Sequence, residues 1–101
     1  MPISVALQNI HGKKYKELVP DNVLLDRLLP IGDARFSYLR WIDPYGNTIF
    51  NGMQMYPFLD ELDRLASEIP GEEERHVLRE LRELAIHCRD HPHTYLRFIG
   101  D

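Results

Sequence analysis

The sequence predicts an α+β protein: a mainly antiparallel sheet of three to five strands, with a helical hairpin packed on one face. Three observations predict it. "FSYLRWI" (36–42) and "TYLRFI" (94–99) alternate apolar and polar residues, the period of a half-buried strand. Two stretches between them place apolar residues every three or four positions, the period of an amphipathic helix. Only Pro70-Gly71 separates those two stretches, which favours antiparallel neighbours. With 101 residues, 44% apolar and 28% charged, the chain has ordinary globular usage and fits a single domain over residues 1–101.

Taken in order, "ISVAL" (3–7) reads as a strand, and "HGKK" turns the chain at Gly12. "YKELV" (15–19) is the returning half of a hairpin. Pro20-Asp21 opens a short helix, with Asp21 as N-cap and Leu24, Leu25, Leu28 and Leu29 as its buried stripe. Pro30 stops it. "FSYLRWI" is expected as a strand, and "DPYGN" follows as a type I turn. "NTIFN" would return beside it, giving a hairpin over residues 36–51. Helices are expected over about 55–69 and 72–90, the second opening with three carboxylates at the positive end of its dipole. Pro92 ends it, and "TYLRFI" is the last strand.

The helical stripes are Phe58, Leu59, Leu62, Leu65, Ala66 and Ile69, then Val77, Leu78, Leu81, Leu84, Ala85 and Cys88. "SYLRWI" and "TYLRFI" echo each other at an offset of 57 residues, whereas "LDELDRLA" and "LRELRELA" echo at 19. A tandem repeat would give one period for both, so a repeat protein is rejected. Alternation would turn Leu39, Trp41, Leu96 and Phe98 toward the helices. Tyr38, Arg40 and Ile42 would then share the other face with Tyr95, Arg97 and Ile99, if the two strands are neighbours.

A net charge of −4 argues against nucleic acid or an anionic membrane as the main partner, because phosphate binding needs surplus cations. Cys88 is the only cysteine, so no internal disulfide forms, which fits a reducing compartment. The N-terminus lacks signal-peptide features, and no apolar run approaches the ~20 residues of a membrane span. A cytoplasmic location is expected.

Three surfaces are candidates for function. Tyr38, Arg40, Tyr95 and Arg97 form an expected binding platform for an acidic partner or phosphate, since tyrosine and arginine favour interfaces. The plainer account is an exposed sheet face with arginine stems over tyrosine rings. The segment "HCRDHPH" (87–93) is the second. His87 and His91 lie one helical turn apart and could share a metal or hold a small molecule. No paired ligand cluster exists elsewhere, and cations near a helix C-terminus need no metal to explain them. The third is the flank Arg75, Arg79, Arg82 and Arg89, with Ile86 among them; the corresponding outer positions of the preceding helix are acidic, at Asp60 and Asp63. It is either solvated charge or a docking flank, including for a second copy of the chain.

Gly-rich phosphate loops and a GxSxG elbow are absent. The expectation is therefore a non-enzymatic module that binds another protein or a second copy of itself, without a cofactor. Immunity, inhibitor and regulatory proteins are the analogous kinds. "LRWIDPYGNTIFN", "LDELDRLA" and "HPHTYLRFIGD" together resemble a group of small bacterial proteins of unknown function. The resemblance covers roughly residues 36–101 and is most specific in "DPYGNTIFN" and "PHTYLRFIGD". It implies a compact α+β domain and carries no activity or site residues.

Overall fold

Apolar residues at the start of the chain form strand β1 (Ser4–Asn9), and Gly12, at φ +84°, lets it reverse into β2 (Lys14–Leu18). The side-chain oxygen of Asn9 accepts the N–H groups of His11 and Lys13, 2.9 Å each, which closes the turn. The computed structural model describes residues 3–18 and 24–100. The expected N-cap at Asp21 lies outside them. Helix α1 (Leu24–Leu28) buries Leu24, Leu25 and Leu28, with Leu29 following, as the leucine stripe predicts. Asp26 of α1 accepts the N–H of Ile3 at 2.7 Å and ties this short helix to the start of β1.

Helices α2 (Met55–Glu68) and α3 (Glu72–Asp90) match the predicted pair, and the break at Pro70-Gly71 turns one back on the other. Phe58, Leu59, Leu62 and Leu65 are buried, as are all six residues of the α3 stripe; Ala66 and Ile69 pack at the margin. After Pro92 the chain enters β4 (Thr94–Ile99). Thr94, Leu96 and Phe98 are buried, and Tyr95, Arg97 and Ile99 turn the other way.

The sheet is antiparallel throughout, with order β2-β1-β4-β3, where β3 is Asn47–Asn51. Val5 lies opposite Phe98, Leu7 opposite Leu96, and Leu96 opposite Phe50, so one face is apolar across three strands. That face meets the helices. The rings of Phe50, Phe58 and Phe98 sit 5.3–6.0 Å apart, within the range of favourable tilted and edge contacts. Among the described residues no helix is long and apolar enough to cross a membrane.

Residues 36–42 correct the sequence reading. They form no strand; Leu39–Trp41 is a 3₁₀ turn. Leu39 and Ile42 are buried, whereas Trp41 is 67% exposed, the reverse of the alternation expected for Trp41 and Ile42. Phe36, Leu39 and Ile42 recur every three residues, which is the 3₁₀ period, and all three enter the core. The Glu61 carboxylate of α2 accepts the N–H groups of Tyr38 and Leu39 at 3.1 Å, so these donors are satisfied without a neighbouring strand. The hairpin expected over 36–51 is therefore replaced by pairing between β3 and the distant β4. The turn at Asp43–Gly46 forms, with the Asp43 carboxylate accepting the Tyr45 N–H at 2.8 Å. It leads from the 3₁₀ turn into β3, and the Gly46 carbonyl accepts the Gly100 N–H at 2.6 Å.

Candidate binding surface

β4 is central, and its alternation places Tyr95, Arg97 and Ile99 on the face opposite the core. Register sets their neighbours. Arg97 lies between Ala6 of β1 and Ile49 of β3, and Tyr95 between Gln8 and Asn51. The helical stripes all enter the core on the other side, so no described helix covers this face. Arg97 donates from Nε to the side-chain oxygen of Asn47 at 3.3 Å and makes no ion pair among the described residues. Among the described residues its terminal nitrogens meet no acceptor. Gln8 is buried beneath its neighbours, and its Oε1 has no partner among the described residues.

The four residues expected to form the platform are not brought together on one sheet face. Tyr95 and Arg97 share the open face. Tyr38 belongs to the helix side, with its ring edge-on to core residue Phe50 at 6.4 Å and its N–H on Glu61. Arg40 stacks on Trp41, its guanidinium carbon 4.7 Å from the ring centroid. Strand alternation located Tyr95 and Arg97. Ile49, Asn47 and Gln8, which complete the face, follow only from the β3–β4–β1 register.

The His-rich segment ends α3. His87 and His91 stack at 3.8 Å between centroids with planes 11° apart, and His91 Nδ1 lies 2.9 Å from the His87 carbonyl. Parallel rings direct their lone pairs along parallel planes, away from a common metal position. Cys88 points into the core, its Sγ 3.5 Å from the Thr94 carbonyl, and burial raises its thiol pKa. Among the described residues no three His, Cys, Asp or Glu side chains converge on a metal position. Burial, then the neighbouring His91 and Lys16, holds the His87 imidazole below its usual range. Beside this segment lies a cleft of about 400 Å³, lined by Met53, Tyr56, Arg89, His91, Pro92 and His93 among others.

The α3 flank is paired within the chain. Arg75 and Arg79 meet Glu72 at 3.2 and 2.8 Å, Arg82 meets Asp63 at 2.8 Å, and Arg89 meets Asp90 at 2.8 Å. Three carboxylates face these four arginines, so most of the flank's charge is offset within the chain, which weakens the attraction expected for an acidic partner. No protein-family model, no curated protein and no solved structure matches the chain.

Proposed function

We propose that the protein is a small non-enzymatic interaction module, immunity-, inhibitor- or regulator-like, that binds another protein through the open face of its sheet. One observation carries this reading. Tyr95 and Arg97 stand side by side on a face without a covering helix, and Arg97 has no carboxylate among the described residues. A flat face with a tyrosine and an unneutralised arginine suits a protein partner with an acidic patch. A lone buried thiol suits a cytoplasmic setting.

The test compares capture of a partner from cell lysate by wild type, Arg97→Glu and Arg40→Glu. Loss of capture in Arg97→Glu alone supports the sheet face. Equal capture by all three, or loss only in Arg40→Glu, rejects it. A small molecule at the His-rich end is a second reading, favoured by the 400 Å³ cleft and not by the stacked histidines. A stoichiometric metal in untagged protein, lost in His87→Ala/His91→Ala, would revive the metal version.

A further inference from the structure

The two edges of the sheet are built differently. β2 carries Lys14, Lys16 and Glu17 and pairs with β1 through a register shift at Leu7/Gln8. Charges and irregular pairing are how proteins keep an edge from accepting another strand. β3, Asn47–Asn51, has no charge, glycine or proline, and its pairing to β4 is regular.

Its free edge also has donors and acceptors in register. The Gly46 carbonyl accepts from Gly100, so Thr48 and Phe50 exchange bonds with β4 by antiparallel alternation. The main-chain groups of Asn47, Ile49 and Asn51 therefore point outward. Gln54 Oε1 accepts the Asn51 N–H at 2.8 Å, while Asn47 and Ile49 bond to nothing on that side among the described residues.

The strand is nearly palindromic. A two-fold axis at Ile49 sets Asn47 opposite Asn51 and Thr48 opposite Phe50. Exposed apolar side chains bracket it: Trp41 and Tyr45 before, Ile49 within, Met53 and Tyr56 after, each 53–80% exposed. Antiparallel pairing would bring the Trp41/Tyr45 end of one copy toward the Met53/Tyr56 end of the other. At about 150–250 Å² for a buried aromatic, these five side chains offer on the order of 700 Å² per copy. A standard interface buries about 800 Å² per partner.

We infer that the protein forms a two-fold dimer by pairing β3 with β3 of a second copy, antiparallel about Ile49, into one eight-stranded sheet. Tyr95 and Arg97 of both copies stay on the open face, so this inference stands apart from the proposed binding role.

Light scattering and sedimentation of the purified chain test it. The wild type should run at twice 11.9 kDa. Ile49→Lys, at an exposed position, should keep the circular dichroism spectrum and weaken the dimer at least tenfold. Ile49→Cys should form an intermolecular disulfide, because hydrogen-bonded antiparallel pairs have Cα atoms ~5.5 Å apart. Asn47→Cys, facing Asn51 of the other copy, should stay reduced. A wild type monomeric at millimolar concentration overturns the inference, and so does a dimer indifferent to Ile49→Lys. Equal cross-linking by both cysteine variants, or none by Ile49→Cys, rejects pairing about Ile49. A monomeric wild type that captures an extended segment of another protein along β3 rejects it too.

Discussion

Glu61 ties the unexpected segment to α2. One carboxylate on α2 accepts both the Tyr38 and the Leu39 N–H, each at 3.1 Å, at the start of a turn that carries buried Leu39. A hydrogen bond to a charged group contributes about 1.5–3 kcal/mol, and leaving a buried donor unmet costs about 1–3 kcal/mol. The site is half-buried, so water offsets part of the loss. Alanine also gains a few tenths of a kcal/mol as a helix former. Glu61→Ala should therefore cost about 2–4 kcal/mol, and Glu61→Gln, which keeps one neutral acceptor, about half as much. For a chain of this size that is a fall in Tm of roughly 10–25 °C for alanine. Urea titration followed by circular dichroism gives the free energy, and the single tryptophan, Trp41, reports on the turn itself. A cost below about 0.5 kcal/mol for Glu61→Ala would show that the carboxylate does not hold this turn.

Gly100→Ala would set a Cβ 2.5 Å from the backbone of Pro44, so a loss of about 1–3 kcal/mol is expected by thermal unfolding; Gly46→Ala meets only the movable Asp43 carboxylate and should cost less. In the Ile49→Lys variant, which should be monomeric, acrylamide should quench Trp41 emission nearly as well as that of a free tryptophan, and a blue-shifted, protected emission there would contradict its exposure in the single chain. Burial, His91 and Lys16 lower the His87 pKa below 6.5, against a smaller opposing effect of Asp90. The unfolded chain then takes up the proton first, so stability present above that pH declines as pH falls below it. His87→Asn should flatten this slope in urea midpoints, modestly because the ring is exposed; an unchanged slope counts against the assignment. Cys88 should react with a thiol reagent only as the chain unfolds, and prompt labelling of native protein would contradict its burial.

Much of this architecture was legible in the sequence. α2 and α3 run for 14 and 19 residues, long enough for the apolar period to repeat several times. β1, β2 and β4 were legible from short apolar or alternating runs beside Gly12 and Pro92. The partner of β3 was not. "DPYGN" forms its turn, but turn chemistry does not say whether the segments on either side pair with each other. β3 joins β4 across the chain, from Asn47 opposite Ile99 to Asn51 opposite Tyr95, a register no local pattern encodes. The open face was consequently half readable: Tyr95 and Arg97 from alternation, Ile49 and Gln8 only from register. "NTIFN" and "TYLRFI" pair with each other as β3 and β4, and Gly100 closes against Pro44 and Gly46.

Tyr38–Ile42 and Tyr95–Ile99 differ at one position in five, yet one is a turn and the other a central strand. The flanks decide. As a strand, residues 36–42 would bury Leu39 and Trp41 and strand Phe36 and Ile42 on the outer face. As a turn they bury Phe36, Leu39 and Ile42 together and release only Trp41, whose ring Arg40 then covers. Burying a large apolar side chain contributes about 1.5–3 kcal/mol, so three inside against two favours the turn even before Glu61 satisfies its donors. In the second segment Thr94 stands where alternation needs it, with Leu96 and Phe98 on the same face, and strands on both sides meet the backbone bonds. The same words therefore present tyrosine and arginine differently. The strand sets Tyr95 and Arg97 on one open face, whereas the turn sends Tyr38 toward α2 and Arg40 onto Trp41. Arg40 and Arg97 occupy matching places in the echo, but only the second stands where a partner seated on the sheet would meet it.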